Sequence, residues 1–268
     1  MKYTFSSLIF IITFTITGCN QKNNNMNISE ISQNNNKKTE YVILISANAE
    51  WRVIKELFPN ENYLKSPWGE YFHKVETIDS KQIDLVYFHG GWGKIAAAGS
   101  AQYVIDEFNP EYIINIGTCG GFNGKIEKFA TVLCTRTIVY DIIEAMGDSK
   151  EAIEDYTTKI DLNWLNKNYP VPVIDTLLVS ADRDLVVDEI EFLNEEYGAI
   201  AGDWETGGIA YVCHRNNTKL LILRSVTDLV NTYEGEAYGN FELFEQNTKT
   251  VMTKLVDELP LWIQHIEN

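Results

Sequence analysis

Three carboxylates stand where a pattern of alternating strands and helices would bring them to one edge of a sheet. Glu50 follows the first apolar run, Glu205 opens a helical pattern after "GDW", and Asp228 follows a later run. A carboxylic acid with a raised pKa can protonate a leaving group, and a carboxylate can activate water. A third carboxylate can accept hydrogen bonds from both hydroxyls of a diol. Together these roles point to glycoside hydrolysis, although each acid alone could equally be a helix cap, a turn residue or a solvated charge.

The hydrophobic pattern predicts the elements that would position these acids. Strands are expected at residues 41–46, 83–89, 112–117, 131–140, 175–181 and 219–227, with helices at 49–58, 93–108, about 202–214 and about 239–266. Continuous buried strands separated by helices indicate an α/β fold, here a single domain with a central, mostly parallel mixed sheet flanked by helices. Ligands of such sheets bind beyond the carboxyl ends of the strands.

Two glycine segments follow predicted strands. "GGWGK" contains Gly90 and Gly91, and "TCGGF" contains Thr118 and Gly120. Glycine lets a ligand approach the backbone closely, so both segments are candidates for water or ligand contact. Each could equally be a tight turn packed on its neighbours. The first is not a P-loop, because an isoleucine stands where the metal-binding Ser or Thr is required.

The amino terminus predicts export and a lipid anchor. Residues 1–18 carry one charge and an apolar run at 8–16, which is too short for a comfortable membrane span and fits a signal peptide. The following "ITGC" resembles the lipobox of bacterial lipoproteins, which implies cleavage before Cys19 and its lipidation. An ordinary secretory signal with a chance cysteine is the alternative. Residues 19–39 are Asn-rich, which predicts a flexible tether. Residues 40–268 form the predicted domain. We expect the tether to hold this domain at a membrane, on the periplasmic or cell-surface side.

Charge and cysteine content limit the partners. The chain carries 22 basic and 38 acidic residues, a net charge of −16. This acidity argues against nucleic acid as a partner, because phosphate binding requires a basic face. Beyond Cys19, the odd number of cysteines (Cys119, Cys134 and Cys213) forbids a complete disulfide framework. The absence of CxxC and HExxH motifs gives no indication of a metal site or cofactor.

Five segments in chain order resemble the nucleoside phosphorylase/nucleosidase superfamily, and most closely the 5′-methylthioadenosine/S-adenosylhomocysteine nucleosidases of nucleoside catabolism. They are "ISANAEW", "GGWGKIAAA", "NPEYIINIGTCGGF", "GDWETGGIAYVCH" and "LRSVTDLVN". The resemblance implies that Asp228 protonates N7 of a purine, Glu205 holds the ribose hydroxyls and Glu50 takes a proton from the attacking water. It also implies a homodimer, and it requires no metal or cofactor.

The chain departs from this family pattern at several positions. Trp204 stands where a methionine usually precedes the ribose-binding glutamate, and Gly90 stands where serine is usual. Next to Leu185 in the base-binding segment, Asp184 stands near the place of an aromatic residue. A carboxylate there could accept protons from a guanine-like edge or could face solvent. A purine nucleoside is therefore a safer prediction of the substrate than methylthioadenosine alone.

Two alternatives to hydrolysis are a phosphate-dependent phosphorylase and a non-catalytic nucleoside-binding lipoprotein. Phosphorylases of this superfamily bind phosphate through arginines, one of them at the place of Asn115 and another where Glu50 falls. A carboxylate at that place repels phosphate and suits a water nucleophile. A binding protein would retain Glu205 but would not need Glu50 and Asp228 together. The sequence therefore favours a hydrolase.

Overall fold

The computed structural model describes residues 39–268, which belong to one compact unit. Its first described residue, Thr39, is already buried, and its amide donates to the carbonyl of Phe108 at 3.4 Å. The predicted signal peptide, Cys19 and nearly all of the predicted tether lie outside the described residues. Between residues 39 and 268, no helix combines the length and the apolar character needed to cross a membrane.

Ten strands and six helices make up the described part of the chain. The strands are β1 (Tyr41–Ile45), β2 (Leu64–Lys65), β3 (Glu70–Ile78), β4 (Lys81–His89), β5 (Tyr112–Phe122), β6 (Thr131–Val139), β7 (Thr158–Lys159), β8 (Ile174–Ser180), β9 (Ala201–Asp203) and β10 (Lys219–Val230). The helices are α1 (Asn48–Leu57), α2 (Gly93–Phe108), α3 (Ser149–Tyr156), α4 (Ile190–Tyr197), α5 (Thr206–Arg215) and α6 (Phe241–Glu267), and a 3₁₀ turn covers Val187–Glu189.

All ten strands belong to one mixed sheet. Its order is β10-β6-β8-β9-β5-β1-β4-β3-β2, with β7 beside β6. Strand β10 pairs in parallel with β5 and antiparallel with β6, so β10, β6, β8, β9 and β5 close into a ring. The pairs β1–β4, β1–β5, β6–β8 and β8–β9 are also parallel. The predicted α/β class with a mostly parallel mixed sheet is confirmed.

Helices cover both faces of the sheet because the strands are apolar on both sides. Along β1, Ile43 belongs to a core cluster that includes Trp51 of α1 and Leu255 of α6. The neighbouring Leu44 belongs to a second cluster that includes Ala101 of α2 and Ala210 of α5. Successive side chains of a strand point to opposite faces, so α1 and α6 pack on one face and α2 and α5 on the other.

The two glycines near the start of α5 allow that helix to pack closely on its neighbours. A Cβ atom on Gly208 would lie 2.8 Å from the carbonyl oxygen of Lys94 in α2, and one on Gly207 would lie 2.5 Å from Cγ2 of Val139 in β6. Glycine costs about 1 kcal/mol relative to alanine inside a helix. Here that cost permits close contact of α5 with both α2 and β6.

The structure corrects several predicted boundaries. The predicted glycine turn after residue 117 is wrong, because β5 continues to Phe122 with β10 along one edge and β9 beside its carboxyl end. Strand β10 likewise extends past Asp228, and α5 begins only after Glu205 because β9 precedes it. Strands β2, β3, β7 and β9 and helices α3 and α4 were not predicted. Most of these elements are short, and β3 carries the half-exposed polar residues of a strand near the sheet edge.

Candidate active site

A buried arginine in β10 lies at the centre of the candidate site. The Arg224 side chain is fully buried and faces three carboxylates. Its Nη1 lies 3.3 Å from Oε1 of Glu50, and its Nε lies 3.2 Å from Oδ2 of Asp203. Its Nη2 lies 3.7 Å from Oε2 of Glu205. We call Glu50, Asp203 and Glu205 the carboxylate cluster; it carries an excess of two negative charges over Arg224 when all groups are ionised.

Glu50 is held in one orientation by several donors. It lies in the first turn of α1, where its Oε2 accepts a hydrogen bond from the backbone amide of Ala47 at 3.0 Å. Its Oε1 accepts from the amide of Thr118 at 2.6 Å and from the Thr118 hydroxyl at 2.9 Å. A Cβ atom on Gly117 would lie only 2.7 Å from Oε1. The glycine before Thr118 therefore makes room for the carboxylate.

Asn115 orients the guanidinium from the other side. Its Oδ1 accepts a hydrogen bond from Nη2 of Arg224 at 3.0 Å, and its Nδ2 donates to the carbonyl of Leu44 at 2.8 Å. Because both ends of this amide are used, the position of Arg224 is fixed relative to β1 and β5. The arginine in turn fixes the carboxylates that surround it.

Glu205 and Asp203 reach the cluster from the junction between β9 and α5. Asp203 accepts hydrogen bonds from the hydroxyl of Thr206 at 2.7 Å and from the amide of Thr206, the first residue of α5. Glu205 occupies the N-cap position, and its Oε1 accepts from the amide of Gly93 at 3.2 Å. This last contact joins the amino-terminal end of α5 to the turn between β4 and α2.

Burial makes the cluster hard to ionise completely. It raises the pKa of Glu205 to about 8; Arg224 opposes the rise, whereas Asp203 and Glu50 add to it. Burial also raises the pKa of Asp203, again against the effect of Arg224. Like charges that share a site in a low-dielectric interior favour the protonated form of one member. The site therefore retains a proton near neutral pH.

Asp228 lies at a bulge in β10. The register against β5 pairs Val226 with Cys119 and Asp228 with Gly120, which leaves Thr227 without a partner in the ladder. The Thr227 hydroxyl donates to Oδ1 of Asp228 at 2.7 Å. Asp228 is buried, and burial raises the pKa of its carboxyl, with contributions from Glu236 and Asp184. A carboxylic acid that retains its proton is suited to protonating a leaving group.

The predicted glycine turn after β4 is compact and connected to the end of β8. The amide of Gly90 donates to the carbonyl of Ile45 at 2.6 Å, and a Cβ atom on Gly90 would lie 2.8 Å from Oγ of Ser100. Gly91 has a φ of +80°, a conformation that favours glycine. Lys94 follows this turn in the first turn of α2. Its amide donates to Asp182, just after β8, at 2.7 Å, and its Nζ pairs with Asp141.

Two tryptophans lie beside the Gly93–Glu205 hydrogen bond. Trp92 and Trp204 precede the two bonded residues, and their ring centroids are 5.0 Å apart at an interplanar angle of 37°. Trp92 is 60% exposed, whereas Trp204 is half-buried. The sequence-predicted Trp204 thus forms part of an aromatic pair next to the candidate ribose-binding carboxylate.

The segment after β8 borders the Asp228 side of the site. Leu185 is buried, and its Cδ1 would lie 3.0 Å from a Cβ atom on Gly120, the residue paired with Asp228. Asp184 is exposed, yet its charge contributes to the raised pKa of Asp228. Both residues therefore belong to the surroundings of Asp228.

Comparison with known proteins identifies the family. The sequence profile of the Phosphorylase superfamily matches residues 41–259, a span that contains all three predicted acids. The chain belongs to the phosphorylase superfamily. A relative within this span is the 5′-methylthioadenosine/S-adenosylhomocysteine nucleosidase of Buchnera aphidicola subsp. Acyrthosiphon pisum (strain APS). It is 26% identical over 202 residues, which cover 69% of this chain and 87% of the relative.

Solved structures share the superfamily fold. The 5′-methylthioadenosine/S-adenosylhomocysteine nucleosidase of Neisseria meningitidis, in complex with methylthio-immucillin-A, aligns with a TM-score of 0.66 at 20% identity, covering 84% of this chain and 99% of that one. The futalosine hydrolase of Helicobacter pylori strain 26695 aligns with a TM-score of 0.63 at 18% identity, covering 82% and 98%. At these identities the likeness is one of fold.

Arg224 and Asp203 are the site residues of this superfamily member that sequence reasoning missed. The family pattern places phosphate-binding arginines at the positions of Asn115 and Glu50, whereas the structure brings Arg224 from β10 to both of these residues. A signal was present in the sequence. Arg224 interrupts the apolar run "LLILRSV", and a charge inside a buried strand requires a buried partner.

The raised pKa of Glu205 predicts a pH dependence of stability. Its folded-state pKa of about 8 exceeds its ordinary value of 4.5, so the native state binds this proton more tightly than the unfolded state does. The contribution of Glu205 to the free energy of unfolding should therefore fall as pH rises from about 4.5 to about 8. When urea unfolding is measured at pH 5 and at pH 8, the free energy of unfolding should fall more between the two pH values for the wild type than for Glu205→Gln.

The matched control is Glu195→Gln, which changes an exposed glutamate of α4. This variant should follow the wild-type pH dependence. Equal slopes for the wild type and Glu205→Gln would contradict the proton retained in the cluster.

Proposed function

We propose that the protein hydrolyses the N-glycosidic bond of a purine nucleoside such as 5′-methylthioadenosine or S-adenosylhomocysteine and releases free base and sugar. The observation that carries this proposal is the pairing of a fixed carboxylate, Glu50, with a buried carboxyl group, Asp228, along the same two strands. Glu50 contacts Thr118 of β5, and Asp228 pairs with Gly120 two residues further on. Two residues of a strand span about 7 Å, which leaves room for the reacting sugar carbon.

Each acid has a distinct role in the proposed reaction. Asp228 gives its proton to N7 of the purine while the bond from the sugar carbon C1′ to N9 breaks, so the base leaves as a neutral molecule. Water attacks C1′ and passes a proton to Glu50, whose orientation is fixed by Ala47 and Thr118. Proton transfers of this kind each contribute roughly 10²- to 10⁴-fold in rate.

Glu205 holds the ribose in this proposal. When ionised, its carboxylate accepts hydrogen bonds from the 2′- and 3′-hydroxyls, and Gly93 and Arg224 fix it in place. The half-buried Trp204 next to it packs against the sugar. Holding the ring in this way supplies the positioning that makes attack by a single water efficient.

The charge around Arg224 favours water over phosphate as the nucleophile. Arg224 contacts Asn115 and Glu50, the two positions where phosphorylases of this superfamily carry phosphate-binding arginines, but the carboxylate cluster already faces it. A phosphate entering this site would meet an excess of negative charge. A phosphorylase is therefore the less favoured function, and a purely binding protein would not need a buried Asp228 together with Glu50.

The experiment that tests the proposal is an assay of the purified protein with methylthioadenosine, S-adenosylhomocysteine, adenosine, inosine and guanosine, each with and without phosphate. Free base and free sugar are measured. We expect base release that does not depend on phosphate. Strict dependence on phosphate would identify a phosphorylase, and tight binding without turnover would identify a binding protein.

Asp228→Asn should lower kcat more than about 100-fold, because the amide cannot donate the proton that the leaving base requires. Steady-state kinetics with the best substrate of the assay measure this loss. Asp257→Asn, which changes an exposed acid of α6, is the control and should retain wild-type rates. Near-normal activity of Asp228→Asn would remove Asp228 from the mechanism.

We also propose that the protein is a homodimer that forms through an apolar surface next to the site. Trp92 and Ile95 at the start of α2 are 60% and 83% exposed, and Ile143 and Met146 in the loop after β6 are 90% and 96% exposed. The Lys94–Asp141 ion pair joins these two segments. Large apolar side chains gathered in this way mark a protein–protein contact more often than free surface.

Ile143→Lys should convert the dimer to a monomer, because a charge would have to be buried at the contact. Light scattering coupled to size-exclusion chromatography measures the mass. Leu261→Lys, at another exposed apolar residue on α6, should remain dimeric. A wild-type protein that is monomeric at micromolar concentration would overturn the homodimer proposal.

A lipid anchor is the third element of the proposal, and it is supported by the sequence of residues 1–39 alone. Processing before Cys19 would leave the catalytic domain on an Asn-rich tether at the exported face of a membrane. Expression of the full chain in a bacterial host should give a membrane-associated protein whose amino-terminal peptide carries acyl mass on Cys19. Cys19→Ala should abolish that mass and the membrane association. Unmodified, soluble wild-type protein would contradict the anchor.

A further inference from the structure

The loop after β10, residues 231–240, folds back over the end of that strand next to Asp228. The amide of Glu236 donates to the carbonyl of Leu229 at 2.9 Å, and Val230 forms an isolated bridge with Gly235. The side chain of Glu236 also pairs with Lys128. The β10–α6 loop is therefore attached to the residues that directly follow the candidate acid.

Tyr238 extends from this loop to the segment after β8. Its hydroxyl donates to the carbonyl of Leu185 at 2.5 Å. Its ring lies directly on Gly235, where a Cβ atom would come within 2.5 Å of ring carbon Cδ2. The hydroxyl and the face of the ring are therefore both fixed. The ring therefore bridges the space between the β10–α6 loop and Leu185.

The surroundings of Tyr238 are those of the expected base site. After burial, the charges of Asp184 and Asp228 are the main causes that raise the pKa of its phenol, and Tyr140 also contributes. Tyr238 is nevertheless 40% exposed. It is therefore an aromatic ring that lies near the candidate acid and still offers part of its surface to a ligand.

We infer that Tyr238 supplies the aromatic surface on which the purine ring stacks, at a site where Asp184 stands in place of the aromatic residue of the base-binding segment. This inference rests on the proposed function. The hydrogen bond to Leu185 and the contact with Gly235 hold the ring in place before the base binds. Tyr238 is a positioning residue in this role: it aligns the base so that N7 meets the proton of Asp228.

The test compares Tyr238→Leu and Tyr238→Phe in the full-length protein. Base–aromatic stacking is worth about 1–3 kcal/mol, so Tyr238→Leu should weaken binding of free purines (adenine, hypoxanthine or guanine) by about 5- to 150-fold. Tyr238→Phe keeps the ring and should stay within about threefold of the wild type. Calorimetry measures purine binding, and KM for the nucleoside should rise more than kcat falls.

Two further variants separate stacking from a general loss of structure. Tyr233→Leu changes a tyrosine of the same loop that is 89% exposed, and it should bind purines as the wild type does. Gly235→Ala displaces the Tyr238 ring without deleting it and should weaken purine binding. In both Tyr238 variants, inhibition by the free sugar product should be unchanged, because Glu205 rather than Tyr238 holds the ribose.

The outcomes distinguish this inference from the proposed function. If no nucleoside is hydrolysed but purines bind and Tyr238→Leu weakens them, the proposed reaction fails and the stacking role stands. If nucleosides are hydrolysed and Tyr238→Leu binds purines like the wild type, the stacking role is overturned. Equal weakening of purine and sugar binding, or no purine binding by the wild type, would also overturn it.

Discussion

The arrangement of the site depends on one buried guanidinium. Arg224 lies in strand β10 and contacts carboxylates from α1 and from the junction of β9 with α5. Bringing these acids together without a cation would require burying like charges within a few ångströms, which a protein interior does not tolerate. A buried ion pair contributes little net stability relative to an apolar replacement, but removal of one partner is strongly destabilising. Its value here is that it defines where the acids lie.

The pairing of β5 with β10 places the other functional groups relative to that arginine. Thr118 contacts Glu50 two residues before the point where Gly120 meets Asp228. The glycines of β5 leave room for Arg224, Glu50 and Leu185, and the bulge at Thr227 changes the direction of β10 where the acid is needed. The pairing of the two strands thus sets the spacing of the candidate catalytic groups, and the side chains adjust only their orientation.

Much of the fold could be predicted from the sequence because its signals are local. The apolar runs located β1, β4, β6 and β8 within two residues, and periodicity located α2 from Gly93 to Phe108. The extent of β5 could not be predicted this way, because glycine-rich strands resemble turns until their partners on both edges are known. The role of Arg224 could not be predicted for a related reason. An isolated charge in an apolar run indicates that a buried partner exists, but it does not indicate which residue that partner is. Its partners lie 174, 21 and 19 residues away along the chain.

The closed ring of strands also has an evolutionary consequence. Arg224 and Asp228 belong to β10 and Glu50 is bonded to β5, and both strands are part of that ring and have little freedom to move. The residues proposed to face the base lie instead in connecting segments, namely the segment with Asp184 and the loop with Tyr238. Loops tolerate substitution far better than core strands do. Preference for a nucleoside can therefore drift over generations by loop changes alone, while the bond-breaking machinery is inherited intact.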